Sequence, residues 1–257
     1  MAVCVSVIMP TYNCGQYIAE SVDSVLAQSF TDWELQIVDD CSTDNTYEIL
    51  QPYLKRYPNI NYHRLDKNGG PAVARTEAIR RANGKYCAFL DSDDLWTPDK
   101  LEKQLAFMEK TGAEFSCTAY RRMDADGNDL HVVMVPPEKT DYAKCIRLSC
   151  PIGNLTAMYN CEALGKIEVP PIKKRNDFAL WLQILKKTRF CYGMEDVLGY
   201  YRLGRSGSVS KNKIKLARHH WQLYHEIEGH GILRSVYDMG CWAFVKGTGI
   251  GLDKRNG

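Results

Sequence analysis

The chain has 257 residues, 45% hydrophobic and 25% charged, enough to bury one substantial core and too aromatic and charge-balanced for a disordered chain. Thirty-three Lys and Arg against 31 Asp and Glu leave a net charge of only +2, so no global field gathers polyanions and a nucleic-acid coat is excluded. The mean hydropathy is −0.35, and no apolar run approaches the roughly 20 residues that cross a bilayer, which excludes a transmembrane span.

The first 120 residues alternate two hydrophobic periods. Residues 3–9 form a continuous apolar run of strand length, closed by Pro10-Thr11-Tyr12-Asn13, after which Ile18, Val22, Val25 and Leu26 mark one face of a helix. Residues 35–38 read as a second buried strand ending at Asp39-Asp40, and Ser42-Thr43-Asp44 cap a helix that runs toward Arg56. A third strand over 60–64 leads through the turn Asn68-Gly69-Gly70 to a helix over 71–82 with Pro71 in its first turn. Residues 86–90 make a fourth strand, halted by Asp91-Ser92-Asp93-Asp94. Thr97-Pro98 opens a helix with Leu101, Leu105 and Met108 inward, and 113–120 supply a fifth strand.

Strand-helix alternation at this spacing predicts right-handed crossovers and an α/β fold with a mostly parallel sheet between helices. Ligands of such sheets sit beyond the carboxyl ends of the strands, so Thr11, Asp39-Asp40 and Asp91 to Asp94 should line one edge. Beyond Asp124 the alternation fails, with a turn at Asp126-Gly127 and breaks at Pro136-Pro137 and Pro170-Pro171. Helical patterns return over 177–187 and from Lys211 to about Val245. The expected division is a nucleotide half over 1–120, an acceptor half over 121–205, and a basic helical appendage over 206–257.

Charge supports that last boundary. Residues 201–257 carry ten basic and four acidic side chains, +6 against −4 for the rest, which suggests an anionic partner for the tail. Trp221 and Trp242 among those cations suit an anionic membrane surface as well as a solvated helical face. The ten cysteines show no C-x-x-C pair, and nothing before the first strand reads as a signal peptide, so free thiols in a reducing cytoplasm are expected.

Three carboxylates within four residues after a strand repel one another unless a cation or strong donors lie among them. Strand alternation sends Asp91 and Asp93 to one side, where two hard oxygen ligands can hold Mg²⁺ or Mn²⁺ beside phosphates; a polar turn capping the next helix is the plainer alternative. Asp39-Asp40 can accept from a base N–H or a ribose hydroxyl, or cap a helix that Ser42 and Thr43 already cap. Arg75, on the helix after Asn68-Gly69-Gly70-Pro71, can reach a diphosphate or stand solvated. Asp177 at a helix start can be a general base or a cap. His225 to His230 has one residue too many for a zincin pair, so scattered surface histidines are expected there.

Together, Val5 to Asn13, Ile37 to Asp44, Asn68 to Arg75 and Phe89 to Asp94 resemble, in order and spacing, the family 2 glycosyltransferases over roughly the first 110 residues. The resemblance implies the GT-A fold, a nucleotide-diphosphate sugar donor (most often UDP), Mn²⁺ or Mg²⁺, and inversion at the anomeric carbon. It places Thr11 and Asp40 at the nucleobase, Pro10, Tyr12 and Asn13 among the nucleotide-sugar-binding residues, Arg75 near the base or diphosphate, and Asp91, Ser92 and Asp93 at the family's D-x-D segment. Metal binding falls to Asp93 with Asp91 and Asp94. Asn176-Asp177 stands where members commonly show Glu-Asp, which implies Asp177 as the catalytic base, and Tyr200-Tyr201-Arg202 with Ser206 to Ser210 resembles a donor-covering segment in which Arg202 and Ser208 contact phosphates. Thr76 and Asn176 depart from the usual residues. The Q-x-x-R-W signature of processive synthases is absent, so transfer of a single sugar to a glycan or lipid-linked glycan is expected, in the cytoplasm or on the cytoplasmic face of a membrane. The competing readings are a sugar-1-phosphate nucleotidyltransferase, which needs a glycine-rich, lysine-bearing loop after the first strand, and an inactive nucleotide-sugar sensor, which needs no base.

Overall fold

The structure is a computed structural model that describes residues 3–148, 150–204, 213–248 and 253–256. Its first half is laid down as β1 (Val5–Thr11), α1 (Ile18–Leu26), β2 (Trp33–Asp39), α2 (Thr46–Arg56), β3 (Ile60–Arg64), α3 (Pro71–Arg81), β4 (Tyr86–Phe89), β5 (Leu95–Trp96) and α4 (Lys100–Thr111). Then come β6 (Phe115–Met123), β7 (Asp129–Val135), β8 (Lys139–Thr140), α5 (Tyr142–Leu148), β9 (Met158–Asn160), α6 (Cys161–Leu164), α7 (Asn176–Leu185), β10 (Cys191–Arg202), α8 (Lys213–Trp221), α9 (Ile232–Thr248) and β11 (Asp253–Asn256). A 3₁₀ turn, Asn154–Thr156, precedes β9, and a π-helical turn, Gln222–Ile227, follows α8.

The strands form one sheet in the order β11-β7-β6-β9-β4-β1-β2-β3, with β10 pairing β5, β6 and β8. The β4-β1-β2-β3 portion is parallel, as apolar runs joined by helical crossovers require. Every residue of β1 and β2 is buried because helices cover both faces. One core holds Ile18, Val22, Leu50, Leu101 and Leu105 from α1, α2 and α4. The other is built around Trp181 of α7, which lies edge-on to Phe89 at 4.9 Å and tilted against Phe115 at 5.6 Å.

Three expectations change. The helix expected from Thr97-Pro98 starts at Lys100, because Leu95 and Trp96 pair with Tyr200 and Gly199 of β10 and hold the chain extended. The single helix expected over 211–245 is broken at residues 228–231, where Gly229 has a φ of +67° that a helix cannot continue through. After α9 the backbone of 253–256 pairs antiparallel with β7, so the C-terminal region is not wholly helical.

The histidines are not scattered on a surface helix either. His220 is 1% exposed, 4.1 Å from the ring of Trp242 and 6.3 Å from that of Phe178. His230 Nδ1 meets Asp238 Oδ2 at 2.9 Å. Among the described residues no helix is long and apolar enough to cross a membrane. All ten cysteines are free thiols.

Candidate active site

The carboxyl ends of β1, β2 and β4 lie side by side, since Thr11 stands opposite Asp39 and Ile8 opposite Phe89 in the parallel ladders. The two aspartates that end β2 have different tasks. Asp39 Oδ1 accepts from Ser42 N at 2.8 Å and Ser42 Oγ at 2.6 Å, and its Oδ2 accepts from the Tyr62 hydroxyl at 2.7 Å. It braces the loop after β2. Asp40 N–H donates to Thr11 O at 2.9 Å, while its carboxylate takes Gly69 N–H at 2.6 Å and Gly70 N–H at 2.7 Å. These charge-assisted bonds hold the turn that starts α3, where Gly70 sits at a φ of +85° that a side chain would strain.

Beside Asp40, the buried Thr11 Oγ1 has no hydrogen-bond partner among the described residues. An orphaned hydroxyl beside a carboxylate at a strand end is a ready contact for a polar ligand edge. Pro10 is buried within β1, and Tyr12 stands 46% exposed at the rim. Asn13, in the left-handed region at a φ of 46°, accepts from Thr43 N on its Oδ1 at 2.7 Å and donates its backbone N–H to Ser42 Oγ at 2.9 Å. Its side chain ties two rim loops together.

After β4 the chain turns, Asp94 N–H donating to Asp91 O at 3.1 Å, and leaves Asp91 and Asp93 half-buried and Ser92 and Asp94 buried. Asp91 Oδ1 pairs with Arg75 Nη2 at 2.7 Å, and Arg75 Nη1 donates to Asn176 Oδ1. Arg75 is 3% exposed, so it lies beneath the cleft and not free toward a diphosphate as expected. It is a bridge from α3 to both the acidic loop and the start of α7. Asp177 follows Asn176 in the first turn of α7, half-buried, its Oδ1 accepting from Phe178 N at 2.8 Å.

Arg202 also departs from expectation. Its Nε donates to Asp93 O at 2.9 Å, Nη1 to Ala125 O at 3.0 Å and Nη2 to Glu20 at 2.6 Å, with the guanidinium 4.7 Å from the Tyr17 ring centroid. Its backbone N–H donates to Asp94 Oδ1 at 2.9 Å. A 4%-exposed guanidinium with every nitrogen engaged is a clasp holding β10 against the acidic loop, not a mobile phosphate contact. The same backbone bond braces the buried Asp94 through its Oδ1. Ser92 O accepts from Cys14 Sγ at 3.2 Å, and Ser208 lies outside the described residues.

Asn154 went unread in the sequence. Both of its amide atoms are buried without a partner among the described residues, in the 3₁₀ turn that passes the end of β4. Phe89 N donates to Ala157 O there at 3.2 Å. Its only signal was position after Pro151 and Gly153, where a polar residue interrupts an apolar stretch.

For a divalent cation the donor set is the test. Asp91 and Asp93, both half-buried, offer hard oxygens from one loop, and no three His, Cys, Asp or Glu converge among the described residues. One or two carboxylates plus phosphates and water is how Mg²⁺ and Mn²⁺ are held with a nucleotide, so the residues fit.

A sheet with this strand order and a polar rim at its carboxyl ends is that of the GT-A glycosyltransferases. The Staphylococcus aureus protein TarS, solved with UDP-GlcNAc, superposes with a TM-score of 0.71 at 23% identity over 95% of this chain and 71% of its own. A Pyrobaculum calidifontis mannosyltransferase, solved with GDP-Man and Mn²⁺, gives 0.64 at 18% identity over 95% of this chain and 74% of its own. Sequence narrows the class further. The model of glycosyl transferase family 2 matches residues 6–167, and the chain belongs to that family. It is 45% identical to TuaG of Bacillus subtilis, named for teichuronic acid biosynthesis, over 98% of this chain and 97% of that one. It is 34% identical to the Escherichia coli UDP-Glc:alpha-D-GlcNAc-diphosphoundecaprenol beta-1,3-glucosyltransferase WfgD, over 91% and 90%. The protein is a sugar-transferring enzyme, which removes the nucleotidyltransferase and sensor readings.

Proposed function

We propose that the enzyme transfers one sugar, with inversion and with the help of a divalent cation, from a UDP-sugar to a hydroxyl of a lipid-linked glycan. The observation that carries this reading is the Arg75 bridge, because one guanidinium fastens the acidic loop after β4 and the helix start bearing Asp177 into a single constellation. In this reading residues 1–120 bind the donor and 121–205 the acceptor. The uracil edge meets Thr11 Oγ1 and the Asp40 carboxylate, whose lone pairs are not exhausted by two N–H donors. Support for UDP and a lipid-linked acceptor comes from the substrate in the WfgD name and the UDP-GlcNAc held by TarS.

Asp93 with Asp91 would hold Mn²⁺ or Mg²⁺, which when bound neutralises charge on the leaving diphosphate. The acceptor oxygen attacks the anomeric carbon as the carbon–oxygen bond to the diphosphate breaks on the opposite face, and Asp177 takes the acceptor proton. Arg75 positions Asp91 and, through Asn176, the turn that aims Asp177. Asn154 supplies a buried amide for a sugar hydroxyl beside the end of β4. The basic C-terminal region lies against an anionic membrane, where a lipid-linked acceptor is found.

A thermal-shift panel of UDP- and GDP-sugars, each with Mn²⁺ or chelator, tests the donor, and proton NMR of the product reads its anomeric configuration. Stabilisation by a UDP-sugar that chelator weakens, with inverted product, is expected. Stabilisation by GDP-sugars alone, or retained configuration, overturns the reading.

A further inference from the structure

Helix α9 is built inside out. At about 100° per residue, Ile232, Leu233, Val236, Tyr237, Gly240, Ala243 and Phe244 fall within an outward arc of about 140° that carries no charged side chain. Ile232 is 63% exposed, Leu233 89%, Val236 57%, Tyr237 55% and Phe244 64%. The inward side holds Ser235 and Asp238, each 0% exposed, next to Trp242 and Val245. The helix of a water-bathed protein turns its apolar stripe to the core. Here the exposed stripe is apolar and includes Tyr and Phe, a composition suited to the boundary between lipid headgroups and acyl chains.

Charge identifies which apolar surface it meets. Of the four acidic residues in 201–257, Asp238 is buried against Arg234 and His230, and Glu228 is buried against Lys186 and the Tyr142 hydroxyl. Ten basic residues share that segment, Arg218 and Arg234 exposed among them. Glu226 is exposed, as are Arg218 and Arg234, and the segment as a whole carries +6, so a neutral apolar face on it complements an anionic bilayer. A second copy would bring like charge to like charge.

Position gives the contact a purpose. Trp242, which the sequence left open between a membrane surface and a solvated helical face, points inward onto His220 at 4.1 Å, and His220 faces Phe178, the residue after Asp177, at 6.3 Å. The outward face of α9 is therefore joined by two packed rings to the helix that carries the proposed base.

We propose that α9 is the membrane-docking element, lying in the plane of an anionic bilayer with Ile232, Leu233, Val236 and Tyr237 among the headgroups and acyl chains. This deepens the reading of a lipid-linked acceptor and rests on it only for its purpose, since docking itself is measured without any transfer.

The test is flotation of the full chain with phosphatidylcholine vesicles containing about one-third phosphatidylglycerol, and with phosphatidylcholine alone. Binding to the anionic vesicles is expected, weakened by salt. The double variant Leu233→Ser, Val236→Ser should lose it by roughly tenfold or more, the consequence of two apolar side chains no longer entering lipid. Circular dichroism, UDP-sugar thermal shift and light-scattering mass accompany each protein, and Ile232→Ser with Tyr237→Ser repeats the test on other exposed positions. Absence of binding by the parent, or equal binding by both double variants, overturns the proposal. A parent dimer that the variants dissolve, with no vesicle binding, assigns the face to a second copy instead. Vesicle binding in a protein that ignores every nucleotide sugar leaves the docking intact and removes the transfer reading.

Discussion

The rim of the sheet and the last helix handle polar groups in opposite ways. At the ends of β1, β2 and β4, carboxylates are folded inward onto backbone N–H groups and arginines: Asp39 onto Ser42, Asp40 onto Gly69 and Gly70, Asp91 onto Arg75, Asp94 onto Arg202. Polar chemistry there is buried and pre-arranged, and the apolar residues of the strands are covered on both faces. Helix α9 also buries its acid, Asp238, with Trp242 and Val245, yet leaves Ile232, Leu233, Val236, Tyr237 and Phe244 outside. A catalytic rim gains by fixing dipoles before a charged ligand arrives, because no reorganisation is then needed during reaction. A docking helix needs the reverse, since its apolar area stabilises nothing until a partner removes it from water.

The contrast can be broken at its strongest point first. Asp177→Asn should lower single-turnover transfer by about 10²–10⁴ while leaving UDP-sugar binding within twofold or so, the usual span for loss of a general base. Transfer at the parent rate would remove Asp177 from the chemistry. Next, truncating leucines compares the two regions directly. Leu35→Ala in β2, 0% exposed, should cost about 2–5 kcal/mol of unfolding free energy in urea, whereas Leu233→Ala in α9 should stay within about 0.5 kcal/mol. Similar losses at both positions would mean that the α9 face is already covered.

A smaller effect sharpens the account, because the body also holds a buried amine that breaks its rule. Lys100 is 0% exposed, and its Nζ has no hydrogen-bond partner among the described residues, only the Trp96 ring with its centroid 3.8 Å away. Burial pushes this amine well below the ordinary lysine range. Between that lowered value and the unfolded value near 10.4, the unfolded chain holds the extra proton, so stability rises with pH through the window and levels off on either side of it. Lys100→Met should raise the midpoint at pH 7 by about 1–2 kcal/mol in free energy and flatten that rise. Thermal melts from pH 6 to 10 or so read both effects; an unchanged slope would show Lys100 to be charged in the fold.

Much of the rim was legible because its residues announce a strand end. An apolar run stopped by Asp39-Asp40 or by Asp91 to Asp94 can hardly place those carboxylates anywhere but beyond the sheet. The roles of the arginines were not legible. Arg75 and Arg202 look alike in sequence, cations near acidic motifs, and only their burial and the partners of their guanidinium groups identify both as buried struts. Asn154 was invisible for a related reason, since an amide reveals its need only when its neighbours fail to meet it. No face of helix α9 was assigned from the sequence. A 3.6-residue apolar stripe is normally assigned to the core, and nothing in the pattern tells which side of a helix faces the protein. The break at Gly229 and the pairing of Asp238 with His230 and Arg234 turn the polar side inward.

The central claim is that the acidic loop after β4 and the start of α7 act as one unit through Arg75. A double-mutant cycle of Asp91→Asn and Asn176→Ala, read as unfolding free energy, addresses it most directly, because the two side chains share only that guanidinium. The account predicts a coupling of about 0.5–3 kcal/mol, with UDP-sugar affinity non-additive in the same sense. Additive effects, agreeing within about 0.3 kcal/mol, would contradict it.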